Sequence, residues 1–514
     1  MLEINEENRK VKAHVVLVYP AFIGENDKVI KTWSDNDLPL NVMLLGSVLL
    51  AHGYTVEVLN ANMHPDFEER TLKSLERDDV AYVGFSCMSS QVKSAIKLSK
   101  KIKEAHPGVP IVMGGVHPTL MPESLVRTPW VDICVVGEGD AVVGKLVDYA
   151  NDRVPLEEVP NVVASRDDGS ILKTHTVPVS GFEILPNMMH ESLYRDEIEK
   201  YTTEFQSDGV RWKRFVLMTG LGCKYKCAFC ITHITNRPYR TKMARSIYNE
   251  MKTLKERFGI NFFCFQEEHF FGDKERLFDL LDLIENDPDL YHKIRWVSTI
   301  RVSDIRDDYV NVDLLKRIRE AGCAGFSTGG ESGSDRVLRF LRKGIKPQDM
   351  IRVASYFNEA KLRIDFSFVM LWPGEELSDM VKTAQLLREI ILTGPYAKIP
   401  YFQTYRPYPG SIWESDLSRF DNPESLPREI WRFQLVDKER MSAFEDPDLL
   451  YRIITTTQAM CITGYDPDAF FSSIKLFVRN ITFLVCSWRI ANMNFKFYIE
   501  HPFLKYIRKR HTQH

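Results

Sequence analysis

Apolar runs of strand length alternate with helix-period stretches along the first part of the chain, the pattern of a parallel α/β sheet. His14–Tyr19 is a β-branched run closed by Pro20, and Thr55–Leu59 and Val80–Ser86 follow as strands, with an apolar helix over Asn41–Leu50 ending at Gly53. Within Gln91–Ala105, residues Val92, Ala95, Ile96, Ser99 and Ile102 recur at helical spacing. Pro110–Met113 and Asp132–Val136 are two more strands, running into Gly114-Gly115 and Gly137-Glu138-Gly139. Glycines placed directly after strand ends let a ligand approach the backbone at the crevice of a doubly wound sheet. The pattern predicts an α/β fold with an N-terminal Rossmann-like doubly wound parallel sheet over residues 1–165.

Periodicity loosens around Pro155, Pro160, Pro178 and Pro186, so residues 166–205 read as a linker with a small hairpin. A second alternation fills residues 206–420, with strands expected at Phe215–Thr219, Phe262–Gln266, Trp296–Thr299, Gly325–Thr328, Ile364–Met370 and Ile399–Thr404. Helical stretches such as Met243–Phe258, Lys274–Glu285 and Val312–Ala321 lie between them. Six βα units predict a partial (β/α)6 TIM-like barrel, whose chemistry gathers at the strand C-terminal ends. Residues 421–514 lose the alternation and are expected to be mainly helical.

At 514 residues the chain is too long for one ordinary core. Its hydrophobic content of 44% and charged content of 27% are those of a globular protein, and a formal net charge of -3 gives nucleic acid no hold as a partner. Met1–Lys12 is charged and runs straight into a strand, and no apolar run nears the ~18 residues of a spanning helix, so a cytoplasmic location is expected. From Ile474 onward, eight Lys or Arg are interleaved with aromatic residues against the single acid Glu500. Such a segment suits either an amphipathic cap on the barrel or peripheral contact with an anionic membrane, the latter opening the way to a lipid substrate.

Nine cysteines are scattered except for one tight group, which fits a reducing compartment. That group is Gly222-Cys223-Lys-Tyr-Lys-Cys227-Ala-Phe-Cys230, a C-x3-C-x2-C loop directly after a strand. A cubane iron–sulfur cluster takes four thiolates, so three close thiolates leave one iron open to a small molecule. Lys224 and Lys226 favour thiolates and a negatively charged cluster. Zinc held by the three cysteines and His233 is the alternative, with acceptable ligand types on an unusual scaffold. Cys264 and Cys323, in or beside strands, read as buried small hydrophobes, and His269 as a weak candidate for proton exchange.

The loop resembles the signature of the radical S-adenosylmethionine (SAM) superfamily, and later strings resemble its landmarks in order. These are Phe265-Gln266-Glu267-Glu268-His269-Phe270, Arg301-Val302-Ser303-Asp304, Gly330-Glu331-Ser332-Gly333-Ser334 with Lys343-Gly344, Leu371-Trp372-Pro373-Gly374-Glu375, and Pro407-Tyr408-Pro409-Gly410-Ser411. The resemblance implies a [4Fe–4S] cluster on Cys223, Cys227 and Cys230, with SAM on its open iron. It further implies Glu267 or Glu268 at the methionine ammonium, Arg301 at its carboxylate, and Glu331 and Ser332 near the ribose. Gly329-Gly330-Glu331 looks like the family's methionine-binding motif but follows the wrong strand, so that role is not carried over.

Before such a core, the N-terminal domain resembles the cobalamin-binding domain of the B12-dependent radical SAM enzymes. Gly114, Gly115 and His117, with Gly137, Glu138 and Gly139, resemble segments around the cobalamin nucleotide tail. The Asp-x-His-x-x-Gly string that supplies a lower cobalt ligand in some cobalamin domains is replaced by Tyr19-Pro20-Ala21-Phe22-Ile23-Gly24. Cobalamin without a protein histidine on cobalt is therefore expected, with His64 in a loop and His117 in a turn. The function implied is methyl transfer from methylcobalamin to an unactivated carbon or phosphorus of a small-molecule or lipid substrate, fed by an electron donor such as flavodoxin or ferredoxin. A cyclase, oxidase or rearrangement enzyme with the same cofactors is the second expectation, and a non-catalytic cobalamin or metal sensor the third. No catalytic side chain is singled out.

Overall fold

The structure, a computed structural model, describes residues 11–23, 29, 38–177, 191–207, 209–235, 237–406, 408–411, 417–424, 446–463 and 474–495. It divides into two compact units, the first holding residues 1–223, 229–261 and 407–432, the second 224–228, 262–406 and 433–514.

In the first unit, strands β1 (His14–Tyr19), β2 (Thr55–Asn60), β3 (Val80–Ser86), β4 (Ile111–Gly114), β5 (Ile133–Val135), β6 (Val162–Ser165) and β7 (Ile171–Lys173) form one sheet in the order β2-β1-β3-β4-β5-β6-β7. The first five are parallel and the last two antiparallel. All of β3 is buried, as a strand covered on both faces should be, which is why its sequence is a continuous apolar run. Helix α1 (Leu40–Ala51) is apolar all round and almost wholly buried. Helices α2 (Phe67–Ser74) and α3 (Val92–Ala105) are amphipathic, and α4 (Val116–Leu120), α5 (Pro122–Val126) and α6 (Val143–Ala150) complete the expected Rossmann-like arrangement. The hairpin β6–β7 extends the sheet into the stretch read as linker; Pro178 and Pro186 lie outside the described residues.

Strands β8 (Thr203–Ser207) and β9 (Val210–Met218) pair as a second hairpin in this unit, β9 beginning earlier than the apolar run had indicated. After them come β10 (Gly220–Leu221), the cysteine loop, α7 (Ile231–Ile234), β11 (Arg240–Thr241) and α8 (Ala244–Phe258), which ends on Gly259 in the left-handed region.

The second unit carries the repeating βα pattern of the barrel. Its strands β12 (Phe262–Gln266), β13 (Arg295–Thr299), β14 (Cys323–Glu331), β15 (Arg363–Met370) and β16 (Ala397–Thr404) pair in parallel, each with the next. Between them run α9 (Lys274–Glu285), α10 (Val312–Glu320), α11 (Asp335–Phe340), α12 (Pro347–Glu359) and α13 (Leu377–Leu392). Phe263, Phe265, Trp296, Phe326, Phe366 and Phe368 are buried on the helix-covered face. Caps fix two helix starts: Asp273 accepts from the Arg276 amide and Asn311 from the Leu314 amide. Helices α14 (Pro447–Thr463) and α15 (Ile474–Ala491) supply the expected helical C-terminal region. On α15, Phe483, Cys486 and Ile490 are buried, whereas Ile481, Leu484, Val485 and Trp488 form an exposed apolar stripe. No helix among the described residues is long and apolar enough to cross a membrane, and the chain after Phe495 lies outside them.

Candidate active site

The strand ends of the first unit open onto a cavity. Val42 and Leu45 of α1 and Val143 and Leu146 of α6 form apolar walls, and Gly84, Gly114, Gly115, Gly137 and Gly139 leave the backbone bare. Gly115 has φ +99, and a Cβ there would stand 2.8 Å from the Cys87 backbone nitrogen, so both space and conformation require glycine. A Cβ on Gly139 would meet Leu45 at 3.4 Å and begin to fill the cavity. The wall's main polar feature is the Ser86 hydroxyl, which takes a hydrogen bond from the Asn41 amide. Such a slot suits a flat, mostly apolar ring system, as in a cobalamin nucleotide tail.

Of the residues read from sequence for this ligand, all four glycines line the cavity and two side chains do not. His117 is buried, its Nδ1 3.0 Å from the Ser89 hydroxyl, and burial pushes its pKa down to about 4, so the ring is neutral. Glu138 pairs with Arg240 and, at 3.5 Å, with Arg237. His64, read as a loop residue, is held by Glu197 at 2.9 Å.

The cysteine loop is anchored at its start. Gly222 has φ +79, and a Cβ there would lie 2.0 Å from the Pro238 carbonyl oxygen. Further on, the Ala228 amide donates to the Leu341 carbonyl at 3.0 Å, and the Lys224 ammonium donates to the Gly272 carbonyl. Cys227 is buried, Cys223 and Cys230 are partly exposed, and none of the three is in a disulfide. Among the described residues no three His, Cys, Asp or Glu side chains meet at a single ion. A cubane offers its irons at separate corners, one thiolate each, and three cysteines in one short loop remain a donor set that fits it.

The strand ends of the second unit hold the remaining residues read from sequence. Glu267, after β12, is paired with Arg276 of α9 through two hydrogen bonds of 2.9 and 2.8 Å, both side chains being 3% exposed or less. Glu268 beside it is exposed. Arg301, after β13, stacks its guanidinium on the Tyr225 ring at 3.7 Å and directs Nη1 to the Cys227 sulfur at 3.5 Å. Glu331 ends β14 with φ +65 and pairs with buried Lys343 at 2.7 Å. Ser332 is turned inward to the Thr383 hydroxyl at 3.2 Å. The structure thus brings Arg301 and Cys227 together, ties Glu331 to Lys343, and gives Glu267 a structural partner.

Two arrangements go beyond what the sequence reading assigned to residues of the landmark strings. Asp304 lies 3.2 Å from the Nε2 of His269, the residue read as a candidate for proton exchange, and accepts from the Tyr225 hydroxyl at 3.4 Å; the landmark strings hold His269 and Asp304 but do not reveal the contact. Glu375, after β15, is buried with one carboxyl oxygen bonded by the Trp372 amide at 3.1 Å and the other without a hydrogen bond among the described residues. Burial pushes its pKa up to about 8, although the Trp372 amide pulls the other way.

Comparison with known proteins agrees with both halves of this picture. Residues 35–147 match the B12 binding domain family and residues 217–387 the Radical SAM superfamily. The chain is 25% identical to an uncharacterized methyltransferase of Pyrococcus horikoshii, over 78% of this chain and 82% of that protein. It is 20% identical to the anaerobic magnesium-protoporphyrin IX monomethyl ester cyclase of Rubrivivax gelatinosus, over 82% and 75% of the two chains. Its fold is similar to that of the cobalamin-dependent SAM radical enzyme OxsB with aqua-cobalamin bound, at a TM-score of 0.69, 16% identity, and coverage of 97% of this chain and 75% of that one.

Proposed function

This chain belongs to the cobalamin-binding radical SAM enzymes, and we propose that it methylates an unactivated carbon or phosphorus centre of a small-molecule substrate. The observation that carries the proposal is the glycine-floored apolar cavity, because its shape and lining suit the cobalamin tail and little else in a radical SAM enzyme needs it. When bound, the cluster supplies the electron that cleaves SAM, and cobalamin carries the methyl group. The protein's own work is placement. Gly114, Gly115, Gly137 and Gly139 would admit the tail, while Cys223, Cys227 and Cys230 would hold the cluster. Glu268 and Ser332 have only their positions at strand ends to support a role toward SAM. The methyltransferase relative supports this reading, and the cyclase relative supports a second one, in which the same cofactors drive ring closure without methylation.

Anaerobic reconstitution with iron, sulfide and cobalamin, followed by SAM and a strong reductant, tests both. 5′-Deoxyadenosine is expected, accompanied by S-adenosylhomocysteine for methylation and unaccompanied for cyclisation. An intact cluster that yields neither product rejects the enzyme reading.

An electron donor of the flavodoxin or ferredoxin class would feed the cluster. The apolar stripe Ile481, Leu484, Val485 and Trp488, in a region rich in Lys and Arg, supports peripheral contact with an anionic membrane. Co-sedimentation with anionic but not neutral liposomes is expected, and its loss in Trp488→Ser checks the stripe.

A further inference from the structure

Arg301 resembles the residue that would receive the SAM carboxylate, yet its side chain is already committed elsewhere. Nη2 donates to the Lys343 carbonyl at 3.0 Å, Nε points to the Ser303 hydroxyl at 3.4 Å, and Nη1 points to the Cys227 sulfur at 3.5 Å. A carboxylate gripped bidentately must use two neighbouring N–H groups of one guanidinium edge. Three of the five Arg301 N–H groups, one on each nitrogen, are already engaged. The plane of the group is fixed as well, by the Tyr225 ring 3.7 Å beneath it.

The surroundings hold that geometry from several sides. The Arg301 backbone amide donates to Asp304 at 3.2 Å. Asp304 accepts from Tyr225, which also takes a bond from the Ser303 hydroxyl at 3.3 Å, and His269 lies on the same carboxylate. Tyr225 sits two residues before Cys227 in the cysteine loop, so the network fixes guanidinium and sulfur together. Lys343, whose carbonyl orients Nη2, has its own ammonium pinned by Glu331.

We infer that Arg301 is a positioning residue of the cluster: it donates a hydrogen bond and presents a fixed positive charge to the Cys227 thiolate, and so makes the cluster easier to reduce. The inference rests on the reading of the loop as a cluster site. Its physical basis is that the reduced cluster carries one more negative charge, which a donor and a cation at a ligand sulfur stabilise more than the oxidised state. Hydrogen bonds to the sulfurs and net local charge are among the levers that set such potentials.

The test is a redox titration of the reconstituted full-length chain, followed by electron paramagnetic resonance in the absence of SAM. Arg301→Gln is expected to hold wild-type amounts of iron and sulfide and to shift the midpoint to more negative potential. Arg301→Lys, which keeps a charge but not the planar fork, should fall between the two. An unchanged midpoint in Arg301→Gln overturns the inference; if its Kd for labelled SAM also rises tenfold or more, Arg301 belongs to the SAM carboxylate. Should Arg301→Gln fail to retain a cluster, Ser303→Ala decides. That change releases Nε and the bond to Tyr225 but leaves Nη1 and Nη2 in place, and it must move the midpoint the same way by a smaller amount; no shift overturns the inference. A wild-type chain that assembles no cluster instead rejects the functional reading on which this one stands.

Discussion

Replacing Arg276 by Met asks what Glu267 is for. The sequence places Glu267 among residues that could touch the SAM ammonium, whereas the structure pairs it with Arg276 through a two-bond fork, with the two side chains 3% and 1% exposed. Arg276 also donates to the Phe270 carbonyl and lies 4.7 Å over the Phe270 ring. Removing one partner of a buried pair leaves an uncompensated charge and costs about 3–5 kcal/mol, whereas replacing both by apolar groups of similar volume is often neutral or better. In a unit of this size 1 kcal/mol moves the melting temperature by roughly 2–4 °C, so Arg276→Met should lower the transition by on the order of 10 °C. Adding Glu267→Leu should recover much of that loss. Differential scanning calorimetry of the wild type, both single variants and the double variant closes the cycle. A loss below about 1 kcal/mol in Arg276→Met, or no recovery in the double variant, refutes the argument. In that event a Glu267→Leu chain with wild-type stability and weakened SAM binding would return Glu267 to the ligand.

Three further outcomes are expected. Glu375 stays protonated in the folded chain up to about pH 8 but ionises near 4.5 when unfolded, so stability falls as pH rises between those values, by about 1.4 kcal/mol per unit at most. Glu375→Gln should therefore gain in melting temperature over the wild type at pH 9 but not at pH 4, and equal gains at both would contradict the burial argument. Gly222→Ala forces a Cβ toward the Pro238 carbonyl, and iron bound per chain after reconstitution should drop several-fold. Gly114→Leu fills the cavity from a backbone with ordinary φ, so cobalamin retained through gel filtration should fall at least tenfold with little change in melting temperature.

Strands buried on both faces were legible almost to the residue. His14–Tyr19 and Val80–Ser86 are observed with the bounds the apolar runs predict, because a strand covered on both faces keeps its apolar run unbroken, and Phe262–Gln266 keeps its bounds with Gln266 exposed at its end. β6 and β7 were not recognised as part of the first sheet, being 4 and 3 residues long and joined antiparallel at its edge. Gly114, Gly115, Gly137 and Gly139 were legible because they lie at or just after strand ends, whereas Gly84, inside β3, was not. Side-chain pairing was not legible either. Arg276 reaches Glu267 from the first turn of a helix, and Arg301 reaches Cys227 across 74 residues, contacts fixed by the barrel's curvature rather than by any local spacing. The carboxyl of Glu375 reads as an ordinary turn residue, since only packing reveals that it is dry.

Gly329 carries a consequence for how this sequence can change over time. A Cβ at that position would lie 2.1 Å from Glu331 Oε1 and 2.8 Å from Lys343 Nζ, so the buried pair occupies the room the glycine leaves. Enlarging position 329 displaces the pair, shortening Glu331 strands the ammonium, and losing Lys343 strands the carboxylate. Losing either charge alone is costly, whereas a Cβ at 329 meets the far ends of two flexible side chains, which must shift to admit it. Positions 331 and 343 should therefore drift as one heritable unit, and a saturation library built one substitution at a time would find each of them intolerant for a reason that lies in the other.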